Sequence, residues 1–140
     1  MKRLLIASLS FFCSLSFAQK HYERLASIDI QHYKFELQLN DENDRINGIA
    51  SVSVKFLKDQ PSFMLDLVNE SEGKGMSVKA VMLGNDKVPF SHKNNELTIN
   101  YKAKSGEFKT FLIAYEGVPE TGLIISKNKY GDRTFFGDNW

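Results

Sequence analysis

Apolar and polar residues alternate along most of the chain with the period of two that marks β-strands with one buried and one solvent-facing side. The first such run carries its apolar residues at Tyr33, Phe35, Leu37 and Leu39. A second run carries them at Ile46, Gly48, Ala50, Val52, Val54 and Phe56. Residues 40–44, between the two runs, are rich in Asn and Asp, which favour turns. The pattern therefore predicts a hairpin of two strands.

Shorter alternating runs continue the pattern downstream. Their apolar positions are Phe63, Leu65 and Leu67; Met76, Val78, Ala80 and Met82; Leu97, Ile99 and Tyr101; and Phe111, Ile113 and Tyr115. Segments rich in Gly, Asn and Asp separate them, and none shows the stripe of an amphipathic helix. Six or seven short strands predict an all-β fold, an antiparallel β-sandwich or saddle-like curved sheet. We assign it to residues 19–117, followed by a connecting segment at residues 118–140.

The first 18 residues have the composition of a secretory signal peptide. Lys2 and Arg3 precede an uncharged, mostly apolar stretch over residues 4–17, and Ser16 and Ala18 supply the small residues that signal peptidase reads. A membrane anchor is the alternative, but a span needs about 20 apolar residues and this run is shorter. The sequence thus predicts a signal peptide at 1–18, a secreted or periplasmic location, and no membrane span after cleavage.

Cleavage of that signal changes which kinds of chemistry are open to the chain. It leaves 122 of the 140 residues and removes Cys13, the only cysteine. A chain of this length buries enough surface to fold without disulfides, and without a thiol it cannot perform cysteine catalysis or bind zinc through cysteine. With 18 basic and 17 acidic residues the full chain is nearly neutral, which gives no indication of a nucleic-acid partner.

A self-contained active site is not predicted. The three histidines, His21, His32 and His92, do not form the His-Glu-x-x-His pattern that places two imidazoles on one helical face for zinc. No serine lies in a Gly-x-Ser-x-Gly turn. We therefore assign no catalytic, cofactor-binding or metal-binding residue, and we expect no cofactor in this chain.

Two segments imitate ligand-binding loops. The run that begins at Asp41 resembles a calcium loop, but Arg45 stands at its fifth position and Val52 at its twelfth, where oxygen ligands are required. Gly73-Lys74-Gly75 lacks the ending and the following helix of a phosphate loop. We interpret the first as a solvated hairpin turn and the second as a flexible connection.

Aromatic residues have two interpretations. Exposed rings bind sugars, whereas rings at alternating inward positions supply core area. Tyr33, Phe35, Phe56, Phe63, Tyr101, Phe111 and Tyr115 all fall at such alternating positions. The core interpretation is therefore favoured, although the rings after Thr134 have little chain left to cover them.

Taken in order, the motifs resemble those of the N-terminal domain of the M1 family of zinc aminopeptidases. The matching motifs are Tyr33-x-x-x-Leu37-x-Leu39, Ile46-x-Gly48-x-Ala50-x-Val52-x-Val54, Leu65-Asp66, Tyr115-x-Gly117, Gly122-Leu123 and Thr134. The resemblance runs from about Ile28 to the end of the chain. Gly48 is expected to permit a bulge or a close crossing by a facing sheet, Asp66 to accept a backbone or arginine hydrogen bond, and Gly117 and Gly122 to allow sharp bends.

The resemblance implies a second domain. In the family, this β domain precedes a thermolysin-like catalytic domain with a Gly-x-Met-Glu-Asn loop and a His-Glu-x-x-His zinc helix, and neither motif occurs here. The implied partners are a missing C-terminal catalytic domain that carries the zinc and, for the whole enzyme, a peptide substrate. Members often carry Gly-Leu-Tyr where this chain has Gly122-Leu123-Ile124. They also often carry a pocket-lining Gln where this chain has Phe135. A more apolar pocket would follow.

Two functions remain open. The first is a non-catalytic N-terminal β domain of an exported zinc aminopeptidase, truncated before the catalytic domain, whose cleft it caps and shapes. The alternative is a small secreted β-sandwich that binds a glycan or a protein partner. The first predicts an apolar surface meant for a second domain, and the second predicts a soluble protein with its own ligand.

Overall fold

A computed structural model describes residues 26–138, and the predicted signal peptide at 1–18 lies outside these residues. Every regular element in the described part is a β-strand. The strands are β1 (Ile28–Gln38), β2 (Ile46–Phe56), β3 (Phe63–Asp66), β4 (Gly75–Leu83), β5 (Asp86–Lys87), β6 (Phe90–Lys93), β7 (Glu96–Ile99), β8 (Phe108–Val118), β9 (Leu123–Lys127) and β10 (Arg133–Gly137). Over residues 26–138 there is no helix with the length and apolarity that crossing a membrane requires.

The strands form two facing antiparallel sheets and a separate hairpin. The large sheet has the order β1-β2-β8-β4-β5, the small sheet has the order β3-β7-β6, and β9 pairs with β10. β2 is an interior strand of the large sheet, and the face predicted from its alternation is buried while the other face contacts solvent. The predicted all-β antiparallel fold is therefore confirmed.

The core lies where the small sheet covers the large one. Phe56, Phe63 and Phe111 are at most 4% exposed. Phe63 and Phe111 pack with ring centroids 5.0 Å apart, and Phe56 meets Phe63 edge-on at 5.4 Å. Edge-to-face and tilted ring pairs at such distances add stabilisation to that of area burial. These rings fix the spacing between the two sheets.

The turn between β1 and β2 confirms the predicted hairpin. Asn40 organises it, because its side-chain oxygen accepts hydrogen bonds from the backbone N–H groups of Glu42 and Asn43, both at 2.9 Å. Its side-chain N–H₂ donates to the carbonyl of Arg45 at 2.7 Å. This is the local side-chain to backbone bonding that makes Asn a turn residue.

Four features differ from the sequence-based interpretation. The connecting segment at 118–140 contains the β9–β10 hairpin, and the short strands β5 and β6 were not predicted. The turn at Gly73 is tight rather than loose, since Ser71 and Lys74 exchange both backbone hydrogen bonds. Gly117 lies inside β8, whereas Gly122 follows that strand with φ +82 and permits a bend.

The inner face of β1 departs from its predicted burial. Tyr33, Phe35 and Leu37, together with Leu39 just after the strand, were expected in the core, yet they are between 37% and 53% exposed. The alternation is correct, since Tyr33 and Phe35 lie opposite the buried Val52 and Ala50. However, β1 is the edge strand of the large sheet, and the small sheet does not extend over its second half.

Gly48 makes room for an aromatic ring. It lies directly opposite Tyr115 in the β2–β8 pair. A Cβ added at Gly48 would come within 3.0 Å of the Tyr115 ring, so the ring lies over the glycine. The predicted close crossing is therefore made by a side chain of the neighbouring strand and not by the facing sheet.

This arrangement predicts that Gly48→Ala has opposite effects on stability in the presence and in the absence of the Tyr115 ring. Gly48→Ala should destabilise the protein by about 1–3 kcal/mol, because the Tyr115 ring must move. In a Tyr115→Ala background the same change should be neutral or stabilising by about 0.5–1 kcal/mol, since glycine weakens a strand. Urea unfolding of the four proteins measures both effects. An equal penalty in both backgrounds would show that the ring is not the obstacle.

Candidate functional site

An open groove lies between the inner face of β1 and the small sheet. It has a volume of about 690 Å³. Its walls include Tyr33, Phe35 and Leu37 of β1, Leu65 and Leu67 at the edge of the small sheet, and Tyr115 and Leu123. We call this surface the apolar groove. It is the uncovered continuation of the core.

Two aromatic rings dominate the β1 wall of the apolar groove. Tyr33 and Phe35 are two residues apart on the same face, and their rings stack with centroids 5.7 Å apart and planes 7° from parallel. They are 46% and 53% exposed. Two large neighbouring side chains that remain this accessible form a contiguous exposed apolar patch.

The rim of the apolar groove is acidic. Asp66, Glu120 and Asp138 line it, and no Lys, Arg or His does so in the described part of the chain. Burial and, to a lesser degree, the Asp66 carboxylate raise the pKa of Tyr33 above its ordinary value. Burial raises the pKa of Tyr115. Both phenols are therefore neutral at physiological pH.

A hydrogen-bonded loop supports Leu67 in the opposite wall. The backbone N–H of Leu67 donates to the carbonyl of Asn95 at 3.0 Å, and His92 Nε2 donates to the carbonyl of Leu67 at 2.9 Å. Asn69 and Asn95 each accept the other's backbone N–H through their side-chain oxygens. His92 thus has a structural contact, and His32 is exposed on β1.

Arg133 fastens the β9–β10 hairpin beside the groove. Its guanidinium donates to the carbonyls of Asp41 and Glu42, at 2.9 and 3.4 Å, and pairs with the carboxylate of Asp44. The side chain of Arg133 is only 14% exposed. The oxygens of the supposed calcium loop therefore face a guanidinium, which fits the interpretation of that segment as a hairpin turn.

One face of the β9–β10 hairpin is apolar and exposed. Ile124 and Phe136 lie opposite each other and are 48% and 65% exposed. Phe135, the predicted pocket-lining position, points to the other face and is half-buried. Tyr130, at the turn, is 77% exposed. This accessible hairpin face adds a second exposed apolar surface to that of the apolar groove.

No group of three His, Cys, Asp or Glu side chains within residues 26–138 is placed to hold a metal ion. His21, the remaining histidine, lies outside these residues. The sequence predicted an exposed apolar surface but not its location, because alternation shows that a strand has an apolar face without showing what covers it.

Known proteins support the fold. No family model and no curated protein matches the sequence. Among solved structures, a two-domain M1 zinc metallopeptidase variant bound to L-tryptophan matches with a TM-score of 0.58 and 20% identity, over 69% of this chain and 22% of that chain. The M1 zinc metallopeptidase from Deinococcus radiodurans also matches at 0.58 and 20% identity, over 69% of this chain and 21% of that chain.

These matches establish the fold of the chain. It has the fold of a β domain of M1 zinc metallopeptidases, consistent with their N-terminal domain, so the resemblance seen in the sequence is confirmed. The chain spans about a fifth of the length of the structures that it matches. In those multidomain proteins the same fold accompanies further chain, which is the premise for a functional proposal.

The two phenols of the apolar groove predict a selective pH response. Asp66→Asn should lower the pKa of Tyr33 part of the way towards its ordinary value, because the carboxylate disappears while burial remains. The pKa of Tyr115 should not move, since burial alone raises it. NMR titration of ring-labelled tyrosine measures both. An unchanged Tyr33, or equal shifts in both rings, would contradict this account.

Proposed function

We propose that this chain is the non-catalytic N-terminal β domain of an exported M1-type zinc metallo-aminopeptidase. The apolar groove and the exposed hairpin face would meet the catalytic domain, and the chain would cap and shape the active-site cleft. The observation that carries the proposal is the combination of an M1-like fold with an accessible apolar groove beside β1.

The energetics favour a partner in the same polypeptide. Completing the burial of half-exposed Tyr33, Phe35 and Leu37 would contribute about 3 kcal/mol, since full burial of one such side chain is worth about 1.5–3 kcal/mol. Association of separate molecules costs about 4–15 kcal/mol in lost freedom. A covalent tether removes much of that cost through its effective concentration. These side chains therefore suit a linked domain.

The two domains would have different roles in the reaction. Zinc and its ligands would belong to the catalytic domain, where the metal would polarise the peptide carbonyl. This chain would supply shape and apolar surface. If the β9–β10 hairpin borders the substrate pocket, half-buried Phe135 would make that pocket more apolar than the Gln common in the family. The predicted signal at 1–18 would direct the enzyme out of the cytoplasm.

One observation favours the second candidate, a small secreted binding module. The stacked and exposed rings of Tyr33 and Phe35 form a platform on which a glycan or a protein could lie. In that case the apolar groove would serve a diffusible ligand. Comparison of the same groove variant in the 140-residue chain and in the protein encoded by its whole gene separates the two functions.

We predict that the whole gene product contains zinc and releases N-terminal amino acids from peptides in a chelator-sensitive way.

In the whole gene product, Phe35→Ser should lower the melting temperature more than it does in the 140-residue chain, because only the whole protein has a domain on the groove. Phe108→Ser is the matched control, since Phe108 is 56% exposed on the outer face of the same sheet. Phe108→Ser should lower the melting temperature equally in both proteins.

Two results would contradict the proposal. One is a gene that ends at Trp140 with no zinc-binding helix after it. The other is a whole protein in which Phe35→Ser has no larger effect than in the 140-residue chain, which would leave the groove to a diffusible ligand.

A further inference from the structure

One edge of β1 is not paired with any other strand of residues 26–138. β1 is the terminal strand of the large sheet and pairs only with β2 among the described strands. Its register with β2 shifts between Ile30 and His32, so the bulge interrupts the edge there and leaves His32–Gln38 regular. A regular edge of this kind offers backbone N–H and C=O groups to another strand. The side chains of β1 determine which strand can pair with this edge.

We propose that β1 of a second copy pairs with this edge in an antiparallel, two-fold arrangement centred on Phe35. The charges on the outer face select this register. It sets Lys34 opposite Glu36 of the second copy and, by symmetry, Glu36 opposite Lys34 of the second copy. These two side chains are exposed and already form an ion pair of 2.6 Å within one strand. Opposite charges across a strand pair are stabilising.

The neighbouring registers lack this match. A two-fold axis at Lys34 would set Lys34 against itself, and one at Glu36 would set Glu36 against itself. An axis between two residues would set each inward-facing residue opposite an outward-facing residue of the second copy, because side chains alternate with a period of two. Like charges directly opposite are destabilising. The sequence of β1 is thus self-complementary about Phe35.

The inner face agrees with the same register. Phe35 would meet Phe35 of the second copy at the axis, and Tyr33 would lie opposite Leu37 of the second copy. These three side chains are between 40% and 53% exposed in the single chain. A two-fold axis perpendicular to the sheet keeps both inner faces on the same side, so the two apolar grooves would be continuous. The main-chain ladder supplies affinity that the side chains alone lack.

The pairing uses the edge of β1 and leaves the apolar groove open. Lys34 and Glu36 lie on the outer face of β1 and do not line the apolar groove, so charge reversal at these residues tests the pairing separately from the proposed function. A tethered catalytic domain would occupy the face of the sheet, whereas the second copy would extend the sheet sideways.

Charge reversal tests the register. Sedimentation of the 140-residue chain should show a reversible monomer–dimer equilibrium. Lys34→Glu and Glu36→Lys should each weaken dimerisation by about tenfold, since each converts two attractive pairs into repulsive ones. The double variant Lys34→Glu/Glu36→Lys should restore it. Lys87→Glu makes the same charge change on the opposite edge strand, β5, and should have no effect.

Cross-linking tests the axis independently of stability. In a Cys13→Ser background, Phe35→Cys should form an intermolecular disulfide under mild oxidation, because only the axial residue meets its own copy within the Cα distance that a disulfide spans. Tyr33→Cys should not, since it faces Leu37 of the second copy. A chain that is monomeric at every concentration, a dimer indifferent to charge reversal without rescue, or equal cross-linking at both positions would overturn the proposal.

Discussion

The mismatch in length between the two sheets is the constraint on which the rest of the structure depends. β2 and β8 are each 11 residues long, whereas β3, β6 and β7 are each four. At about 3.3 Å per residue, the short strands cover little more than a third of the long ones. One end of the sandwich therefore closes over phenylalanines, and the other end stays open as the apolar groove.

The open end is held in shape by polar contacts that are local in space and distant in sequence. Arg133 joins the β9–β10 hairpin to the turn at 41–44, and the reciprocal bonds of Asn69 and Asn95 fix the wall that carries Leu67. Such bonds preorganise a surface before any partner arrives, which lowers the ordering cost of binding. The walls of the apolar groove are therefore preorganised by hydrogen bonds and are not loosely packed core.

The sequence predicted the strands well and their covering poorly. β1 and β2 show the same alternation, yet Val52 is 1% exposed and Tyr33, directly opposite it, is 46% exposed. Alternation records which side chains share a face, while burial depends on which strand becomes an edge and how far the other sheet reaches. The hairpin was missed for a related reason, since the contacts of Arg133 lie about 90 positions away. Gly48 was correctly singled out, but its neighbour was not.

Solvent access to individual side chains tests the central claim most directly. In NMR spectra of the 140-residue chain with a soluble paramagnetic agent, the account predicts strong relaxation of the Phe35 and Tyr33 ring protons and almost none at Phe56, which is 0% exposed. Equal protection of all three rings would mean that the small sheet or another part of the chain already covers β1. The apolar groove would then not exist, and the account would be wrong.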